Sequence, residues 1–131
     1  MNTKQTITVA DCDVFMTGYI SESLEKYFDV TSIYNTFDFL HHVSMARENN
    51  LVIIGKQDYI FKGFSVTKVI RNYWPNCRII SLSKRPLFIL KLLFQGADDY
   101  ISKPFKLKAL IKIINAQLNA KPVGDVEGNI G

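Results

Sequence analysis

The sequence predicts a doubly wound α/β domain: a parallel sheet held between two layers of helices. Three observations predict it. Short runs of strand length alternate with amphipathic stretches of helix length five times along the chain, the pattern of repeated crossover units. One of these runs, Leu51-Val52-Ile53-Ile54, is apolar throughout, as a strand covered on both faces must be. The length, 131 residues, fits one domain with an ample core.

The elements follow in order. Thr6 to Ala10 reads as the first strand. A helix from about Val14 to Phe28 carries Met16, Ile20, Leu24 and Tyr27 on one face, with Asp13 placed to cap it,. Val30 to Tyr34 is the second strand. Thr36 caps a second helix that buries Phe39, Leu40 and Val43 and ends near Asn49-Asn50. Leu51 to Ile54 is the third strand, and Lys56 to Lys62 is a loop closed by Gly63. A third helix carries Val66, Val69, Ile70 and Tyr73 and stops before Pro75, whose ring cannot continue it,. Arg78 to Leu82 is the fourth strand. Pro86 suits the first turn of a fourth helix that runs to Gln95 and ends at Gly96,. Asp99 to Ser102 is the fifth strand. The last helix, from about Lys106 to Asn119, sets Leu107, Leu110, Ile111, Ile114 and Leu118 in one stripe. Residues 1–119 form the predicted domain. Residues 120–131 lack periodicity and read as a linker or disordered tail,.

Composition narrows the class. Apolar residues make up 47% and charged residues 21%, as in ordinary globular proteins. No apolar run approaches a membrane span, and Met1 to Gln5 has no signal core, so a cytoplasmic location is expected. Cys12 and Cys77 read as reduced thiols,. Cys12 is open to two readings, a structural cysteine or a redox-sensitive thiol activated by a nearby cation. His41 and His42 are adjacent on a helix, with no acid or cysteine at ligand spacing, and read as surface or boundary residues,. The net charge of +4 is too small and too scattered to argue for nucleic acid, and no helix-turn-helix pattern is present.

In an open parallel sheet, function gathers at the carboxyl ends of the strands. Those ends carry Asp11-Cys12-Asp13, Gly55-Lys56-Gln57, Ser83-Lys84 and Ser102-Lys103-Pro104. An acid, a hydroxyl and a lysine at these places, with the run Gly96-Ala97-Asp98-Asp99-Tyr100-Ile101-Ser102-Lys103-Pro104-Phe105, resemble the receiver (CheY-like) domain of bacterial response regulators from residue 5 to about 119. The resemblance implies a flavodoxin-like three-layer sandwich of five parallel strands in order 2-1-3-4-5 with five helices. It implies that Asp11 and Cys12 match the two acids that help hold magnesium, and that Gly55 matches the phospho-acceptor aspartate. It further implies that Ser83 matches the switch hydroxyl, Tyr100 the switch aromatic and Lys103 the phosphate-binding lysine, with a cis bond before Pro104. Gly63, eight residues after Gly55, has the family's usual spacing from the acceptor. Ser81 would restore a slightly short segment before Gly96, but Ser83 better fits the end of the apolar run.

The departures from the pattern carry the functional expectation. Gly55 cannot form an acyl phosphate, and the thiol of Cys12 is a poor ligand for magnesium, a hard cation. A complete pocket is net negative and balanced by a divalent metal. Here Asp11 and Lys103 sum to zero, so the expectation is a direct Asp11–Lys103 ion pair, no metal and no cofactor. The expected function is a degenerate, non-enzymatic receiver that regulates by protein contact without aspartyl phosphorylation, in signal transduction or transcription. The alternative is phosphorylation at a non-standard aspartate, Asp58 or Asp11. A flavodoxin-like cofactor binder would need a Ser/Thr/Gly-rich phosphate loop after the first strand, and Asp11 to Phe15 provides none.

The fourth helix suggests where contact occurs. From Leu87 to Phe94 every residue but Lys91 is apolar, more than one buried stripe needs. The residues expected at a partner or dimer surface are Leu87, Phe88, Lys91 and Leu92, with Asp98 and Asp99 beside them. The resemblance implies a dimer face built from helix four, strand five and helix five, as in regulators with winged-helix outputs. The charged residues of that face are replaced by Ala109 and Ile113, so a more apolar contact is expected. A DNA-binding output domain outside this chain is the further partner implied.

Overall fold

The structure is a computed structural model that describes residues 4–11, 13–55, 60–61, 64–89 and 96–120. The expectations for Cys12, Asp58, Gly63, Lys91, Leu92, most of the fourth helix and the tail beyond 120 lie outside the described residues.

Strands β1 (Thr6–Ala10), β2 (Asp29–Ile33), β3 (Leu51–Ile54), β6 (Arg78–Ser83) and β7 (Asp99–Ser102) form one sheet in the order β2-β1-β3-β6-β7, every pair parallel. Counted as main-sheet strands this is the predicted order 2-1-3-4-5. Helices α1 (Val14–Leu24), α2 (Thr36–Met45), α3 (Val66–Tyr73) and α4 (Leu107–Asn119) cover it. Residues 87–89, helical, stand at the start of the helix expected between β6 and β7. Gly96, at its predicted end, has φ +97°, a left-handed turn that favours glycine.

The alternation of side chains along each strand makes two cores. Ile7, Val9, Leu51, Ile53, Ile80 and Leu82 meet Ile20 and Leu24 of α1 and Leu110 and Ile114 of α4. Ala10, Val52, Ile54 and Ile79 face the other way, onto Phe39 and Val43 of α2 and Ile70 of α3. Leu51 to Ile54 are apolar without interruption because both of their faces are buried,. Trp74 closes the second core. Its indole N–H donates to Ala46 O at 3.3 Å, and its ring meets His42 edge-on at 5.7 Å. Burial holds the His42 imidazole pKa below its usual value.

Several boundaries differ from the sequence-based expectation. Helix α1 stops at Leu24, because Asp29 must join β1 through a bond to Gln5 O. Its buried side is therefore Thr17, Ile20, Ser21 and Leu24, and Tyr27 is 68% exposed. Helix α2 ends at Met45, where Ala46 turns extended and gives its carbonyl to Trp74. Its cap is Asn35, whose side chain accepts from Asp38 N; Thr36 is the first helical residue. Strand β2 begins one residue earlier than expected, and β6 runs one residue further. The predicted loop after β3 contains half of a small antiparallel hairpin, β4 (Ile60–Phe61) with β5 (Phe64–Ser65), just before α3. Two-residue strands fall below the length at which periodicity signals anything.

Cys77 is buried in the second core, and burial pushes its thiol pKa up from 9.0 to about 12. The unfolded chain therefore ionises this thiol first. The stability it contributes is complete below pH 9 and is lost as pH rises toward 12. In a Cys12→Ser variant, Cys77 should resist a thiol reagent at pH 8 in the native protein and react fully in denaturant; rapid native labelling would contradict its burial.

Candidate functional site: a closed pocket at the carboxyl edge of the sheet

The sheet reverses its winding between β1 and β3, which opens a crevice at the strand ends,. Asp11 follows β1, Gly55 follows β3, Ser83 ends β6 and Lys103 follows β7. Backbone bonds fix these ends: Gly55 N donates to Ala10 O at 2.8 Å, and Lys103 N donates to Ser83 O at 2.6 Å. The peptide between Lys103 and Pro104 is cis, as expected.

The pocket is filled from inside. Asp11 is fully buried, and Lys103 Nζ lies 2.6 Å from Asp11 Oδ2 with only 6% of the lysine side chain exposed. The second oxygen, Oδ1, accepts from Asp13 N at 2.8 Å. The Asp11 backbone is held as well, its N–H on Ile33 O and its carbonyl taking the Thr17 hydroxyl. Such a pair holds only because each charge satisfies the other; removing one member of a buried pair costs about 3–5 kcal/mol.

Gly55 makes this arrangement feasible. A Cβ at position 55 would lie 1.8 Å from Asp11 Oδ2 and 2.3 Å from Asp11 Cγ. The Asp11 carboxylate thus occupies the space that any side chain at 55 would need. Glycine is required here for close approach.

The other pocket residues fall around this pair. Ser83 is half-buried, and its hydroxyl accepts from Arg85 N at 3.1 Å. Ser81, the alternative, is fully buried in mid-strand between Ile54 and Tyr100; its hydroxyl has no partner among the described residues. Ser83 is the serine at the strand end. Tyr100 is half-buried against the second core. Burial, with Asp98 and Asp99 nearby, raises its phenol pKa. Asp13 spends its carboxylate on Met16 N, the cap of α1, which lowers its pKa.

The magnesium site of the resembling family would need these donors free. Both oxygens of Asp11 are engaged, Asp13 is turned to the helix, and Gly55 offers no side chain. No group of three His, Cys, Asp or Glu suited to a metal occurs among the described residues. Magnesium demands near-octahedral oxygen ligation, and the described residues do not fit it.

At the expected contact face, Leu87 and Phe88 are exposed, Phe88 by 66%. The Asp98 side chain, expected at this face, turns inward. Its Oδ2 takes Arg71 Nη2 at 2.6 Å and Ile79 N at 2.7 Å, with Arg78 3.7 Å from Oδ1. Arg71 also donates to Cys77 O and Gly96 O. Asp99 is half-buried and accepts from Gln117 of α4. The two acids brace loop, sheet and helix from within. Arg71 escapes sequence reading because one arginine on an amphipathic helix carries no sign of a partner 27 residues away.

Known proteins share this fold. No family model matches the chain. Over 115 residues it is 33% identical to the sensory transduction protein BceR of Halalkalibacterium halodurans, a match covering 86% of this chain and 49% of BceR. The chain spans about half the length of that curated relative. The receiver domain of the Francisella response regulator 1452 superposes with a TM-score of 0.74 at 25% identity, over 88% of this chain and 97% of that one. Response regulator DrrB of Thermotoga maritima, described as an OmpR/PhoB homolog, gives 0.71 at 24% identity, over 88% of this chain and 53% of its own. These likenesses support a response-regulator receiver (CheY-like) domain.

The interlock of Gly55 and Asp11 has a measurable signature. Gly55→Ala should destabilise the protein by more than about 2 kcal/mol, within the range of overpacked cores, and Asp11→Gly should remove most of that penalty. Lys103→Met should cost about 3–5 kcal/mol alone and much less when combined with Asp11→Leu. Chemical denaturation of the single and double variants measures both couplings; additive effects would disprove them.

Proposed function

We propose that this chain is a pseudo-receiver: a receiver domain of an atypical response regulator that signals by protein contact, without aspartyl phosphorylation and without catalysis. The observation that carries the reading is the clash at Gly55. The acceptor position has no carboxylate, and the space for one is taken by Asp11, whose charge is already neutralised by Lys103. Phosphoryl transfer to a receiver needs a free carboxylate nucleophile beside a metal that stabilises developing charge. Asp11 is buried and spoken for on both oxygens, which argues against it as a substitute nucleophile.

The contact face of this reading is the side of β7 and α4, with Leu87 and Phe88 exposed beside them, and with Lys91 and Leu92 from the sequence. Ala109 is exposed and Ile113 half-buried on α4, so the contact is apolar in character, made with a second copy or another protein. A role in two-component signalling and transcription, with a DNA-binding output domain beyond this segment, draws support from BceR and DrrB, each about twice the length matched here. No described helix is long and apolar enough to cross a membrane.

Incubation with acetyl phosphate and magnesium, followed by intact mass, tests the central point. The expected outcome is an unmodified chain. A base-labile, acid-stable phosphoryl adduct at Asp58 or Asp11 would overturn it. Light scattering on the chain and on Phe88→Asp tests the contact face: self-association lost in the variant supports a dimer there, and a monomer in both assigns the face to a different protein or removes it.

A further inference from the structure

Among the described residues no strand pairs with the outer edge of β2, which lies under an apolar groove with acids at one end. Backbone bonds from Asp29 N to Gln5 O and from Asp11 N to Ile33 O set the phase of the strand. Residues 29, 31 and 33 turn their peptide groups toward β1. By alternation, the N–H and C=O groups of Val30 and Ser32 point to the free edge. Proteins usually blunt such edges with lysine, proline or a bulge. Strand β2, Asp29-Val30-Thr31-Ser32-Ile33, has neither lysine nor proline, and its register with β1 runs without a bulge.

Above this edge runs a groove of about 470 Å³ between α1 and β2. Val14, Phe15, Tyr19 and Tyr34 line it, Phe15 being 90% and Tyr19 52% exposed. Glu22 and Glu25 line it too, with no basic residue among the lining side chains. Gly18 opens its floor. A Cβ there would meet nothing within 4 Å, so internal packing does not require glycine, although a mid-helix glycine costs about 1 kcal/mol relative to alanine.

We propose that this strip is a docking site for an extended segment of a partner protein, which adds a strand to β2 and sets an apolar side chain, then a basic one two residues along, into the groove. Strand addition supplies main-chain hydrogen bonds, and alternate side chains supply specificity. The acids at the groove select the basic residue. A second copy of this chain fits less well. The Ser21 hydroxyl lies 2.5 Å from that of Ser32, which sets α1 over the middle of β2. Pairing with a second copy would bring in the strand Asp29–Ile33, which carries an acid and no basic residue, so the glutamates at the groove would gain no opposite charge. The residues that line the site include none of Asp11, Gly55, Ser83 or Lys103.

The test uses the whole chain and two labelled peptides. One is Thr-Val-Thr-Arg-Thr-Val-Thr-Arg; the other has glutamate in place of arginine. The arginine peptide should bind saturably, about 10-fold more tightly than its counterpart, and should slow amide exchange at Val30 and Ser32. Gly18→Gln, which improves helix propensity and fills the notch, should keep or raise the unfolding midpoint while weakening binding about 10-fold. Glu22→Lys should reverse the peptide preference. Absence of saturable binding, equal affinity for both peptides, or unchanged exchange at Val30 and Ser32 would overturn the proposal. So would a dimer in light scattering that protects those same amides, since the occupant would then be a second copy.

Discussion

One buried ion pair, Asp11 with Lys103, organises the carboxyl edge of the sheet. It ties the end of β1 to the end of β7, across two intervening strands, and it is unusually enclosed for charged groups. Water cannot relieve either partner, so the geometry around them has to be held. The bond from Lys103 N to Ser83 O anchors the lysine's backbone, and the Asp13 amide and Thr17 hydroxyl anchor the aspartate. The crevice of an α/β sheet, elsewhere a place for a ligand, is here occupied by the protein's own charges.

A second polar assembly does comparable work at the far side. Arg71 reaches from α3 to the carbonyls of Cys77 and Gly96 and to Asp98, and Arg78 with Gln117 extends the chain of contacts to α4. These groups are only partly buried, so each contact is worth less than the Asp11–Lys103 pair, but together they fix the strand that carries Tyr100. The motif Asp98-Asp99-Tyr100 is thus read two ways. In sequence it resembles a contact surface; in the fold its first acid is a brace.

The fold was legible because periodicity and strand-end chemistry are local. Apolar runs such as Leu51 to Ile54, the stop at Pro75 and the turn at Gly96 each follow from a few neighbouring residues. The strand-end positions of Asp11, Gly55, Ser83 and Lys103 were legible too, since topology alone brings strand ends together. What escaped was set by three-dimensional context. Asn35 and Thr36 are both good caps, and only the backbone at Asn35 decides between them. The end of α1 depends on where β2 must begin. The direction of the Asp11 side chain, into the gap above Gly55, has no one-dimensional trace, although the charge balance of the pocket anticipated its partner.

The space above Gly55 also bears on which changes such a domain can accept. Glycine and aspartate codons can differ by a single base, so a carboxylate at position 55 is one mutation away. The volume is not. A carboxylate at 55 would meet Asp11, and displacing Asp11 would leave Lys103 buried without its partner. Neighbouring changes of this kind do not add, and most intermediates would fall below the margin that natural proteins hold. The contact between a glycine and the acid beside it therefore acts as a lock: position 55 accepts a side chain only if position 11 changes with it.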